Sequence, residues 1–405
     1  MMTGTETAPW KAEWSLAIMN ELNENILAFW MDHTVDPRGG FIGRIDDERN
    51  ADLSADKSLV LNTRVLWTFS TAYRLFGQPE HLSMADRAYQ YLINSFLDQE
   101  YGGMYWMVEA DGTPSAVDKV MYGQAFAIYA LSEYYRAAGT QESLEHAIQL
   151  FELLENHARD YEFGGYAEGL AQDWTPISSM SLDGRDELNV RKSMNTHLHV
   201  MEAYSNLYRV WPAARLQQSL AELIELTIRY IIDPVTLHFK LFFDEQWNSK
   251  NSHISYGHDI EGSWLLIEAA ETLGEPELLA KARETAVRMA EAVLQEGVDA
   301  DGGIPNEADD SGIIDSDRDW WPQAEAVVGF YQAYQLTGES RYLEASRASW
   351  SFIERYIVDR RLGEWHWSVT REGIPTQGRG KVNAWKCPYH NSRACFEMLD
   401  RLARP

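Results

Sequence analysis

Cysteine is nearly absent from this chain of 405 residues. There are two, Cys387 and Cys395, and no CxxC pair. That excludes a disulfide scaffold and the usual thiolate zinc sites. Positive charge is also scarce, with 35 Lys and Arg against 62 Asp and Glu and a net charge of −27. Such a surface repels phosphate backbones and anionic lipid, so neither nucleic acid nor membrane is an expected partner. No uninterrupted run of 18 apolar residues occurs, and the polar stretch from Met1 to Lys11 has no apolar signal core. A cytoplasmic location is expected. The phosphate-cradling and nucleophile motifs GxxxxGK, GxGxxG and GxSxG are missing, as is any zinc-ligand spacing. No low-complexity linker or charge block marks a boundary, so one domain spanning residues 1–405 is expected.

What the chain does have is a period. A glycine–aromatic turn recurs as Gly39-Gly40-Phe41, Gly102-Gly103-Met104-Tyr105-Trp106, Gly164-Gly165-Tyr166, Gly302-Gly303-Ile304 and Gly363-Glu364-Trp365, with a degenerate copy at Leu237-His238-Phe239. Gly40 to Gly103 is 63 residues, Gly103 to Gly165 is 62, and Gly303 to Gly363 is 60. A unit of this size holds two ordinary helices and a tight turn. Between the turns apolar residues recur at helical spacing, as in Leu61, Val65, Leu66, Phe69 and Tyr73. Gly77, Gly139, Gly274 and Gly338 sit where left-handed helix caps belong. Short alternating pieces, such as Met104–Val108 before Asp111-Gly112, read as small hairpins. The predicted architecture is all-α: an (α/α)6 barrel of twelve helices with short β-hairpins in the loops at one face.

A closed ring of helix pairs places function on its inner helices and on the loops at one mouth. Five polar clusters interrupt otherwise apolar helix stretches there. The first holds Arg64, which reads either as a site residue or as a salt-bridged surface group. In Ser193–Val200, Asn195 and His199 share a helical face with Glu202 a turn on. His197 is about 200° away from His199, so the two histidines do not chelate together, and His197 reads as structural. In Gly257–Trp264, His258 and Glu261 face the same way near a helix start, a general acid–base arrangement. Trp321 and Glu325 share a face after Asp319, an aromatic plate beside a carboxylate. In Asn383–Asn391, Pro388 shapes a loop that brings Trp385 and His390 to the last helix. The 15 Trp and 20 Tyr suit either a large core or a carbohydrate cleft.

On these stretches, Ser193 to Val200, Tyr256 to Trp264, Asp319 to Glu325 and Trp385 to Arg393, the chain resembles the N-acylglucosamine 2-epimerase superfamily, and within it the cellobiose 2-epimerase branch. The likeness runs through essentially the whole chain. It implies the same (α/α)6 barrel, a small sugar as substrate, no metal or nucleotide cofactor, and a monomer or weak homodimer. Carried over by motif, His258 and His390 correspond to the two acid–base histidines. Arg64, Tyr122, Asn195 and His199 correspond to residues around the C1 and C2 oxygens. Glu261, Trp321, Glu325 and Trp385 correspond to further sugar contacts. Tyr122 is reached only through the resemblance, since a tyrosine on an apolar helix ordinarily belongs to the core. Cys387 and Gly123 stand where other small residues are expected.

The implied reaction is epimerisation at C2 of the reducing-end sugar of cellobiose or lactose, through ring opening and a cis-enediolate. The rival readings are a monosaccharide 2-epimerase, an aldose–ketose isomerase, a glycoside hydrolase using Glu261 and Glu325 as its carboxylate pair, and a non-catalytic binding protein.

Overall fold

The computed structural model describes residues 9–177 and 190–404, so the first eight residues of the polar N-terminal stretch lie outside it. Twelve helical rods occur among the described residues. Six form an inner ring: Leu59–Phe76, Met121–Ala138, Met194–Tyr208, Tyr256–Leu273, Trp320–Thr337 and Tyr389–Ala403. Six more pack outside them, over 9–33, 79–96, 141–158, 214–231, 276–296 and 340–357. Inner and outer rods alternate along the chain, and the first rod packs on the last, which closes the ring. This is an (α/α)6 barrel.

The two ends of the barrel are built differently. At one end each inner helix turns directly into the next outer one. Gly77, Gly139, Gly274 and Gly338 make four of these turns, with φ of 68, 70, 77 and 73°. Only glycine holds that left-handed cap without a Cβ penalty. Arg74, Arg136 and Arg401 lie in the last turns of their inner helices. There they meet the partial negative charge of the helix C-termini. They also pair with acids on their own or the neighbouring inner helix: Arg74 with Glu133 at 2.6 Å, Arg136 with Glu133 at 2.7 Å and Arg401 with Glu397 at 3.2 Å. Arg209 adds a pair with Glu268 at 2.7 Å. These charge pairs line a separate pocket of about 550 Å³ at this end.

At the other end the connections are long. Four of the outer rods finish in a widened turn, as in Leu97 N–H to Leu92 O and Val358 N–H to Ile353 O, each spanning five residues. The glycine–aromatic turn follows. An Asp opens it by accepting backbone N–H groups, as Asp98 does from Glu100 and Tyr101. A cation on the strand entering the inner helix holds the same Asp: Lys57 to Asp36, Lys119 to Asp98, Lys192 to Asp160 and Lys381 to Asp359, all at 2.7–2.8 Å. That strand pairs with the following unit: Lys57-Ser58 with Met107-Val108, Lys119-Val120 with Gly169-Leu170, Lys192-Ser193 with Phe242-Phe243 and Arg318-Asp319 with Ser368-Val369. Single bridges, Ile254 to Ala308 and Val382 to Ile45, supply the other two steps. The expected hairpins are there, at 44–52 and 307–315 for example, but most of the β structure staples neighbouring units around the mouth.

Four of the turns are also clamped by a polar residue in the first turn of the inner helix that follows. Gln124 bonds both N–H and C=O of Met104, and Gln323 does the same for Ile304, at 2.8 Å throughout. In the third unit His197 takes this place. Its Nδ1–H donates to Ser193 O at 2.7 Å and its Nε2 accepts from Tyr166 N–H at 2.9 Å. His197 is therefore structural. A Cβ on Gly165 would lie 2.5 Å from that imidazole, which is why glycine occupies the turn. In the degenerate fourth copy, Asp259 accepts from Phe239 N–H at 2.7 Å and from His238 Nδ1 at 2.7 Å. A buried ion pair stands there in place of the missing glycines.

Candidate active site

All six inner helices point their N-termini at the stapled mouth. The partial positive charge of those ends converges on one space and favours negative charge there. The expected site residues fall in the first two turns of these helices, except Trp385, which sits in the loop before the last one. Nine of the ten expected side chains line a single cavity of about 350 Å³: Arg64, Tyr122, Asn195, His199, His258, Glu261, Trp321, Trp385 and His390. The tenth, Glu325, is 1% exposed and stands behind His390, so it does not reach the cavity wall as a direct sugar contact would.

The wall has an oxygen-binding side. Arg64 is buried with no carboxylate at hydrogen-bond distance; its Nη2 donates to Tyr122 Oη at 2.7 Å. Because the guanidinium can only donate, the phenolic proton of Tyr122 is left for another acceptor. The guanidinium also lies over Phe126 and Tyr389, 4.3 and 4.8 Å from their ring centres. Asn195 Oδ1 is buried with no partner. His199 Nδ1 bonds Glu202 Oε2 at 2.8 Å. A carboxylate accepts, so Nδ1 carries the proton. Trp385 packs edge-on against Tyr122, in a loop where its own N–H and that of Lys386 both donate to Asn383 Oδ1.

The other side carries two imidazoles with different supports. His390 Nδ1 donates to Glu325 Oε1 at 2.6 Å. Glu325 in turn accepts from Trp264 Nε1 at 3.0 Å and from Arg393 Nη2 at 2.7 Å. With His199–Glu202, this makes two histidine–carboxylate pairs in the site. The helical spacing suggested His258 with Glu261, but the structure pairs them elsewhere. His258 Nδ1 bonds Ser255 Oγ at 2.8 Å, and Glu261 reaches inward to Arg393. Burial depresses both histidines: His258 to about 3, with His199 adding a little, and His390 well below its usual value, with Arg64 and Arg393 adding to burial. Both are neutral bases at pH 7. Trp321 packs on both rings, 4.5 Å from His258 and 5.6 Å from His390. Gly257 permits this approach, since a Cβ there would lie 2.7 Å from the indole.

Three lining residues escape the sequence reading: Trp320, Trp367 and Arg379. Trp320 adjoins Trp321, and Trp367 follows Trp365 by two in an alternating strand, which is the only sign the sequence offers. Arg379 gives none. Glu261, Glu325 and His390 bring three ligand-type atoms within 4.8 Å of one another. The Arg393 guanidinium already bonds both of those carboxylates, so the place of a cation is taken by a fixed organic charge.

The sequence and fold agree with relatives of known type. The N-acylglucosamine 2-epimerase (GlcNAc 2-epimerase) family matches residues 40–394. The chain belongs to that family. Similar members include the cellobiose 2-epimerase of Bacteroides fragilis, 46% identical over 94% of this chain and 97% of the relative. The cellobiose 2-epimerase of Dictyoglomus turgidum is 38% identical over 95% and 98%. Among solved structures, the cellobiose 2-epimerase of Bacillus thermoamylovorans superposes with a TM-score of 0.93 at 38% identity, covering 96% of this chain and all of that one. A 2-epimerase family member needs a proton acceptor beside a sugar C2 and donors for the oxygens that become charged. The cavity brings both kinds of group together. Among the described residues no helix is long and apolar enough to cross a membrane.

Proposed function

We propose that this isomerase interconverts the glucose and mannose configurations at the reducing end of β-1,4-linked disaccharides such as cellobiose and lactose, as one catalytic unit and without metal or nucleotide. The observation that carries the reading is the pairing of two neutral imidazoles, His258 and His390, with a buried Arg64 that has no anionic partner of its own. An arginine kept free of carboxylates at a helix-ringed cavity is available to an anion formed during reaction.

The sugar enters as a ring and must open to expose its aldehyde, a step that needs an acid at the ring oxygen and a base at the anomeric hydroxyl. One imidazole then removes the C2 proton. The electron pair moves into the C1–C2 bond, and the negative charge settles on the C1 oxygen of a cis-enediolate. Arg64, the free proton of Tyr122 and the Asn195 amide serve as donors to the C1 and C2 oxygens, and His199, whose Nδ1–H is given to Glu202, offers its Nε2 as an acceptor for a sugar hydroxyl. The second imidazole, which has taken up the proton of the anomeric hydroxyl as the ring opened, returns it to the opposite face of C2, and the first gives the abstracted proton to solvent. Glu325 holds Nδ1–H of His390, so its Nε2 carries the lone pair that accepts the proton. Trp321 and Trp385 offer apolar faces to the sugar rings.

Product analysis by NMR on cellobiose, lactose, glucose, mannose and N-acetylglucosamine tests the reading. Formation of glucosyl-mannose from cellobiose supports it. Release of glucose would make the protein a hydrolase, a ketose product an isomerase, and conversion of monosaccharides alone would refute the disaccharide assignment.

A further inference from the structure

Glu202, Glu325 and Glu261 come from three different inner helices, yet one side chain from a fourth bonds all of them. Arg393 lies one turn past His390 on the helix Tyr389–Ala403. Its Nη1 donates to Glu202 Oε1 at 2.5 Å and to Tyr389 Oη, and its Nη2 donates to Glu325 Oε1 at 2.7 Å and to Glu261. The guanidinium is 1% exposed and lies between the rings of Trp264 and Tyr389, 4.8 and 4.3 Å from their centres. It does not line the cavity. The free oxygen of Glu202 holds His199 at 2.8 Å, and Glu325 holds His390 at 2.6 Å. The partner of the proposed oxygen-binding histidine and the partner of the proposed base are thus two arms of one fork.

We infer that Arg393 is a positioning residue that joins the His199–Glu202 and His390–Glu325 pairs into one charge unit, setting the orientation and proton affinity of the base together with those of the oxygen-binding histidine. The inference rests on the epimerase reading above. Its physical basis is charge balance in a dry place. Three carboxylates and one guanidinium leave an excess of negative charge, and buried charge is tolerated only when it is paired or protonated. Glu202 is held ionised at about 2, because Arg393 and His199 outweigh its burial. Burial and the adjacent Glu325 push Glu261 up to about 7, and burial also raises Glu325, so the unit sheds its excess charge by sharing a proton near neutral pH. Other charged and titratable groups also face the guanidinium. They are Tyr389 and His390 on its own helix, Tyr129 on Met121–Ala138, and Arg64 beyond Tyr389 on Leu59–Phe76. A lysine supplies one compact charge in place of the planar fork and cannot bond carboxylates on three helices at once.

The test measures kcat, KM and the pH dependence of C2-proton exchange on cellobiose for the wild-type enzyme, R393K, R393M and E202Q. R393K keeps the charge and loses the fork. Its kcat is expected to fall about 10- to 100-fold with KM within about threefold, and its acid limb to stay in place. R393M loses the charge, which raises the proton affinity of every facing group, so its acid limb moves up by about one pH unit. If R393M does not fold, E202Q carries the same test, because it cuts one arm and the limb set by the distant His390 pair still has to move. A wild-type enzyme that exchanges C2–H, with folded variants whose kcat drops less than threefold and whose acid limbs are unmoved, overturns the inference. A wild-type enzyme that exchanges no C2–H overturns the epimerase reading instead.

Discussion

Glu325→Gln separates two roles for one residue. If Glu325 touched the sugar, the change would raise KM. The structure sets it behind His390, 1% exposed, with all its contacts to protein: His390 Nδ1 at 2.6 Å, Arg393 at 2.7 Å and Trp264 Nε1 at 3.0 Å. A glutamine keeps the shape and one acceptor oxygen. That oxygen now has Trp264, Arg393 and His390 competing for it, while the new NH₂ group can only donate. When the amide nitrogen faces Nδ1, the imidazole must accept there and carry its proton on Nε2. The atom that should take the C2 proton is then blocked. Loss of a carboxylate that fixes a catalytic tautomer costs roughly 10²–10⁴ in kcat, or about 3–5 kcal/mol. KM should change by less than about twofold, because no sugar contact is removed. Steady-state kinetics on cellobiose give both numbers, with circular dichroism as a check on the fold. A folded variant with near-normal kcat would refute the tautomer argument, and a large rise in KM at unchanged kcat would restore the direct sugar contact.

His258→Ala and His390→Ala should each abolish epimerisation in a folded protein, since a two-base reaction loses one proton path; near-normal turnover by either purified variant contradicts its role. In D₂O the product epimer should carry deuterium at C2 from the first turnovers, read by NMR, and unlabelled product at high conversion rules out the enediolate. Arg64→Ala should slow exchange and epimerisation together by roughly 10²–10³, or about 2–4 kcal/mol, because both pass through the same anion. Treatment with EDTA should leave turnover unchanged, and activity that is lost and then restored by a divalent ion would show a metal at work.

The barrel was legible because its punctuation is local. Glycines at 39–40, 102–103 and 164–165 are needed where the backbone takes left-handed angles against a packed ring or imidazole, and that need repeats with the unit. The fourth copy hid its turn because an Asp259–His238 pair replaced the glycines, and ion pairs carry no fixed spacing. Helical phase placed His258 and Glu261 on one side but could not say what lay across from them. The carboxylate went to Arg393, 132 residues away. The same holds for Tyr389 Oη donating to Glu202 across 187 residues. Contacts between inner helices depend on how six rods are rotated around an axis, and no single rod encodes that. Arg379 is exposed on a loop tied down by Asp47, so neither burial nor period marked it.

The layer of side chains across the middle of the barrel has a kinetic consequence. Tyr389, Phe126 and Arg393 are buried between the pouch and the pocket at the far end, so the pouch has one door. Substrate and product must use it in turn. A hydrolase with such a pouch would have to admit water past its substrate and release two fragments in order. An epimerase has no second reactant and no fragment to release; the bound sugar is itself the stopper that keeps the enediolate dry. The same geometry makes each epimer compete with the other for a single seat, so net conversion slows as product accumulates and stops at the ratio set by the sugars alone.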